Sequence, residues 1–194
     1  MPDPLTLSPE HSRHRQSRLL ETMRQLELDR VVLREPENVQ WLTGFRPHRL
    51  MSAAASLDAD GRCVLAAPNS PPDAVAVDDC VTFEAQWLCT LRQEQPTDAC
   101  RALAAAISLD RGNSRIGIEG ADATVADDDG RTVDIAPELW RLRRRKDPDE
   151  LALIRRAIDC TAAMYAAAHE HIHAGITELE LFNILQAAAV TAAG

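Results

Sequence analysis

Leu142-Arg143-Arg144-Arg145-Lys146-Asp147-Pro148-Asp149-Glu150 decides how this chain is read, because it joins two halves written in different patterns and opens a long helix at a definite residue. Asp147 is placed to accept hydrogen bonds from the free amides of a first turn, and Pro148 suits the first helical position. Glu150 follows the cap by three residues and can close a capping box. The spacing predicts a helix from Pro148 to about His173, with Leu151, Ile154, Ile158, Ala162, Tyr165 and Ile172 on one apolar stripe and Gly175 placed to close it. Thr177-Glu178-Leu179-Glu180 is a second capping box, opening a helix that carries Leu181, Phe182, Ile184 and Leu185. Two helices with one stripe each cannot make an independent core. They must pack on the preceding domain, on another chain, or on further sequence.

Upstream the pattern changes to alternating strands and helices. Residues 1–16 carry three prolines and scattered charge without periodicity and read as a loose arm. Leu19, Leu20, Met23 and Leu26 then predict an amphipathic helix from about Ser17. Val31-Val32-Leu33 is a short strand, Pro36 to Leu42 a short helix entered through proline, and Gly44 its stop. The segments 53–57 and 62–67 flank Asp58-Ala59-Asp60-Gly61, a hairpin whose glycine supplies the positive φ. A strand is expected near Val81-Thr82-Phe83 and a helix over 97–109, with Ala102, Leu103, Ala106 and Ile107 inward. Further strands are expected at Ile116-Gly117-Ile118 and Thr132 to Ile135, before Pro137, Leu139-Trp140 and a basic linker. This order predicts an α/β domain over residues 17–140 with a mixed sheet flanked by helices, followed by a basic linker and two helices over 141–194.

Composition narrows the function classes. The chain has 194 residues, 45% hydrophobic and 26% charged, which excludes disordered and fibrous classes and allows one sizeable core. A formal net charge of -9 argues against general nucleic-acid binding, which needs a basic surplus on one face. Small molecules, proteins or a second copy are the expected partners. Cys63, Cys80, Cys89, Cys100 and Cys160 include no Cys-x-x-Cys pair and read as reduced thiols, while residues 1–16 lack an apolar signal core. No run approaches the ~18 apolar residues of a membrane span, so a cytoplasmic protein without membrane contact is expected.

Three ordered segments carry a family resemblance: Pro36-Glu37-Asn38-Val39-Gln40-Trp41-Leu42-Thr43-Gly44-Phe45, Leu142 to Arg156 around Lys146-Asp147-Pro148-Asp149-Glu150, and Gly175-Ile176-Thr177-Glu178-Leu179-Glu180-Leu181. Together they resemble landmarks of the creatinase, prolidase and aminopeptidase P family over roughly residues 17–194. The resemblance implies a creatinase N-terminal-like, ribonuclease H-like α/β unit that aids oligomerisation and narrows the way to an active site. It also implies the first two helices of a pita-bread domain, in which two aspartates, a histidine and two glutamates hold two divalent metals, manganese or cobalt. None of those ligands can be matched to a residue here, and the pita-bread domain reads as truncated. No catalytic residue, metal ligand or bound cofactor is therefore assigned to this chain, which is expected to be inactive alone. A complete relative would act on Xaa-Pro peptides or small amidines. The alternative is a stand-alone dimerisation or binding module that has lost its catalytic half.

Other motifs read more plainly as surface features. His169 and His173, four apart on the expected helix, share a face, but with His171 they also complement the negative end of a helix dipole. Asp127-Asp128-Asp129-Gly130 lacks the alternating ligands and closing glutamate of a calcium loop and reads as a solvated turn. The five positive charges between Arg141 and Lys146 are expected to pair with carboxylates at the domain junction. The remaining candidate is Arg46-Pro47-His48-Arg49. In relatives the corresponding region faces a substrate entrance, so Arg46, His48 and Arg49 are read as a substrate-access loop. Guanidinium groups suit this role because they hold a carboxylate by two parallel hydrogen bonds.

Overall fold

The computed structural model describes residues 6–85, 95–107, 114–120 and 131–194. They fall into two units, Thr6–Arg145 and Lys146–Gly194. In the first, helix α1 (Pro9–Gln25) leads to strand β1 (Arg30–Leu33), helix α2 (Pro36–Thr43), the hairpin β2 (Ala54–Asp58) and β3 (Cys63–Pro68), and strand β4 (Asp79–Phe83). Helix α3 (Gln95–Ala106), strands β5 (Ile116–Ile118) and β6 (Thr132–Asp134), and helix α4 (Ala136–Arg144) complete it. The second unit holds α5 (Pro148–His171) and α6 (Glu178–Ala193).

The six strands form one mixed sheet in the order β4-β3-β2-β1-β5-β6. β2 runs antiparallel to both β1 and β3, whereas β4 joins β3, β5 joins β1 and β6 joins β5 in parallel. Side-chain alternation divides the core between the two faces. Val31, Leu33, Ala55, Leu57, Cys63 and Leu65 meet Leu19 and Met23 of α1, Trp41 and Leu42 of α2, and Leu139 of α4. On the opposite face Ala54, Val64 and Ala66 meet Ala99 and Leu103 of α3. Both faces are covered, which explains why β2 and β3 are almost wholly apolar despite their low-propensity alanines. The hairpin forms as its sequence predicts, with Gly61 at φ 95° and Arg62 N–H donating to Asp60 Oδ1 at 2.9 Å.

The expected loose arm is corrected over residues 8–16. Ser8 caps α1, accepting from His11 N–H at 3.1 Å, and Pro9 occupies the first turn. The sequence pattern hid this half of α1 because the residues it buries are polar. Ser12, Arg15 and Gln16 are all buried, and they serve the end of α2. Arg15 Nε donates to Trp41 O at 2.6 Å and Gln16 Nε2 to Leu42 O at 3.0 Å. The backbone amides of Gly44 and Ala76 reach Gln40 O and Thr43 O, each at 2.8 Å. The last four carbonyls of α2, which no helical amide can satisfy, are thus each given a donor.

Gly44 ends α2 in the left-handed region at φ 83°, and a Cβ there would lie 3.1 Å from Leu7 O. Gly44→Ala should lower stability by about 1–2 kcal/mol through backbone strain and that contact. Urea unfolding checks it, and a loss below a few tenths of a kcal/mol would contradict the reading.

α4 extends through the first part of the expected basic linker, placing Arg141, Arg143 and Arg144 in its last turn. Cations there offset the negative end of the helix dipole, which favours continued helix where charge density alone suggests a linker. In the second unit both capping boxes form. Asp147 N–H donates to Glu150 Oε2 at 2.9 Å, and Thr177 and Glu180 bond reciprocally at 2.9 and 3.2 Å. α5 and α6 pack on each other, and the Arg156 guanidinium donates to Ala193 O. Neither helix contains a buried residue. No helix among the described residues is long and apolar enough to cross a membrane.

Candidate functional site

The chain leaves α2 through Gly44 into the expected access loop. Phe45 N–H donates to Thr43 Oγ1 at 3.1 Å and its ring packs on the core, while Pro47 is buried, so two anchors set the loop on the body of the first unit. Arg46, His48 and Arg49 are exposed, the last two on a turn closed by Met51 N–H donating to His48 O at 2.7 Å. Arg46 folds back on α2, donating to Gln40 Oε1 at 3.1 Å and to Glu37 Oε1 at 3.3 Å. That ion pair is half-exposed on both sides, and pairs of this kind contribute about 0–1 kcal/mol, so a ligand carboxylate could replace Glu37 at small cost. His48 Nδ1 accepts from Leu50 N–H at 3.3 Å. The arrangement suits holding an anion and contains no nucleophile with an adjacent base.

At the other end of α2 lies a carboxylate that sequence reading missed. Glu119 is 5% exposed and accepts from Glu35 N–H at 2.8 Å and Arg34 N–H at 3.3 Å. It places negative charge at the positive end of α2. Burial raises its pKa to about 7, against those two backbone bonds and an Asn38 hydrogen bond, which act to lower it. No local signal could have found it, because Glu119 follows a three-residue strand and its partners are far away in sequence.

The other candidates separate. α5 stops at His171 with Ile172 as an extended cap, so His169 and His173 do not share one helix face. His171 and His173 instead contact the carbonyls of Ala167 and Ala174 at 3.0 and 3.1 Å. In the basic run, Arg141 pairs with Glu138 at 2.7 Å within α4, Arg143 donates to Asn38 Oδ1 at 2.7 Å, and Lys146 lies 3.9 Å from Glu150. Asp127, Asp128, Asp129 and Cys89 lie outside the described residues. Cys63, Cys80, Cys100 and Cys160 are free, and burial pushes the Cys63 thiol up to about 12, which makes it chemically inert.

Among the described residues, Asp147, Asp149 and Glu150 form a group whose ligand atoms lie within 4.8 Å of one another. Two of these carboxylates accept amides of the α5 cap: Glu150 Oε2 from Asp147 N–H and Asp149 Oδ1 from Glu150 N–H at 2.8 Å. Three oxygen ligands from one helical turn do not fit a two-metal centre, which needs about five convergent ligands with supporting hydrogen bonds.

The Creatinase/Prolidase N-terminal domain profile matches residues 15–144. No curated protein sequence matches the chain at a significant level. Among solved structures, prolidase from Pyrococcus horikoshii OT3 aligns with a TM-score of 0.68 at 15% identity, over 92% of this chain and 48% of its own. Prolidase from Pyrococcus furiosus aligns at 0.63 and 18% identity, over 89% and 48%. An Escherichia coli aminopeptidase P variant aligns at 0.61 and 15%, over 95% and 50%. The chain spans about half the length of these structures. With the profile covering Arg15 to Arg144, and therefore the Arg15 tether, the whole sheet and α4, the chain belongs to the creatinase/prolidase N-terminal domain family.

Proposed function

We propose that this chain is the non-catalytic amino-terminal part of a metallohydrolase resembling prolidase and aminopeptidase P, where it aids oligomerisation and narrows access to an active site. The domain match over residues 15–144 carries this reading, supported by the half-length alignment to prolidase structures. The described residues supply a rigid sheet, an anion-suited loop and no acid/base constellation. In this reading a catalytic domain supplies two divalent metals, manganese or cobalt, and acts on an Xaa-Pro peptide or a small amidine. Arg46, His48 and Arg49 line the entrance and Arg46 or Arg49 receives a substrate carboxylate. Free thiols among the described residues agree with a reducing, cytoplasmic setting.

Two measurements test it. The purified chain mixed with manganese or cobalt should not cleave an Xaa-Pro dipeptide; sustained turnover by contaminant-free protein would refute the non-catalytic assignment. In a polypeptide that carries this domain with an active catalytic half, Arg46→Ala or Arg49→Ala should raise KM several-fold, about 1 kcal/mol of substrate binding, and leave kcat unchanged. Unaltered kinetics in both variants would remove the access role.

A further inference from the structure

The loop that carries Arg46, His48 and Arg49 is held differently at its two ends. Phe45 and Pro47 fix its entry on the core, but its exit precedes β2, whose pairing begins only at Ala54 with Ala66. The sheet ladder therefore gives nothing to Met51 or Ser52. Two side chains from distant segments do. Asn69, the first residue after β3, donates from Nδ2 to Met51 Sδ at 3.8 Å, and Gln95, the first residue of α3, accepts from Ser52 N–H through Oε1 at 3.2 Å.

Both amides have their orientation set by what faces them. Ala85 N–H can only donate, so the Asn69 atom that meets it at 2.8 Å is Oδ1, and Nδ2 turns to Met51. Asn69 N–H donates to Phe83 O at 2.8 Å, and its backbone sits at φ 63°, a region asparagine enters more readily than most residues. Ser52 N–H selects Gln95 Oε1 in the same way. Neither side chain belongs to the apolar clusters of the core. A thioether is a weak acceptor, so the larger share of the anchoring falls to Gln95.

The held residues pass the constraint on. Met51 N–H donates to His48 O at 2.7 Å and Leu50 N–H to His48 Nδ1 at 3.3 Å, so a fixed exit fixes the turn that carries His48 and Arg49. We propose that Asn69 and Gln95 are positioning residues of the access loop, which hold its exit so that His48 and Arg49 meet a substrate in one arrangement. The inference deepens the access role given to this loop above and rests on it. A loop ordered in advance binds more tightly because less conformational freedom is lost on binding.

Two experiments test it. In the 194-residue chain, Gln95→Ala and Asn69→Gly should speed amide hydrogen exchange at Met51 and Ser52 by about tenfold and leave β2 and β3 unchanged. Glycine keeps the left-handed conformation at position 69 and removes only the side chain. Gln95→Glu retains the acceptor and should exchange like the parent. Faster exchange spread through β2 and β3 would mark both residues as general supports of the fold and overturn the proposal, as would an unchanged rate at Met51 and Ser52. In a polypeptide that joins this domain to an active catalytic half, Gln95→Ala and Asn69→Gly should raise KM about three- to tenfold with kcat unchanged. If Arg46→Ala or Arg49→Ala raises KM while these two variants do not, the positioning role falls and the access role stands. Unchanged KM in all four removes both.

Discussion

Arg15→Ala should lower the stability of the first unit by about 3–5 kcal/mol, the usual effect of breaking a buried charged hydrogen-bond network. Arg15 is fully buried, and its guanidinium donates to Trp41 O at 2.6 Å and to Ser12 Oγ at 2.7 Å. Removing it leaves a helix-terminal carbonyl in a dry site and a void where a large, fully buried side chain had been. Arg15→Lys keeps the charge but cannot reproduce the fork, so an intermediate loss is expected. Arg13→Ala is the control. Arg13 pairs with Asp78 at 3.0 Å, yet both side chains are 42% exposed, and less than about 1 kcal/mol should be lost. Urea unfolding followed by tryptophan fluorescence reads all three. An Arg15→Ala loss no larger than that of Arg13→Ala would show that α1 does not brace α2.

The second large effect depends on pH. Glu119 has a folded pKa of about 7 against a reference of 4.5. Between those values the native protein retains a proton that the unfolded chain releases. Stability attached to this group is therefore fully present below about pH 4.5 and is lost as the pH rises through about 7. At 1.36 kcal/mol per unit, the loss is of order 3 kcal/mol. The groups facing Glu119 are Arg34 and Glu35 at the start of α2, Asn38 one turn on, and Cys100 on α3. Glu119→Gln keeps the shape and an acceptor oxygen but cannot ionise. Its stability should vary little between pH 5 and 8 and should exceed that of the parent at pH 8. A parent profile that matches the glutamine variant would refute the assignment of this slope to Glu119.

The parts of this fold legible in sequence are those whose causes lie within a few residues. Asp147 with Glu150, Thr177 with Glu180, Gly44 after an apolar turn and Gly61 in a four-residue loop are local contracts between side chain and backbone. The mixed sheet followed because apolar runs and turn residues alternate. What sequence hid was non-local. The first turns of α1 bury polar groups whose acceptors, Trp41 O and Leu42 O, lie 26 residues away. Glu119 meets Glu35 N–H across 84 residues. The access loop was legible as a turn, but the fold-back of Arg46 onto Glu37 and Gln40 was not, since several rotamers of so long a side chain were open to it.

The central position of β1 bears on how the chain acquires its shape over time. β2 pairs antiparallel with both β1 and β3, and only residues 34–53, which carry α2, and the hairpin loop separate the three, so they can pair as soon as Pro68 has left a ribosome. The other flank of β1 must await Ile116 to Ile118, and those residues await Thr132 to Asp134. A nascent chain thus carries an open parallel edge on β1 until Ile118 has emerged, and an unpaired edge of this kind is where correct closure competes with aggregation.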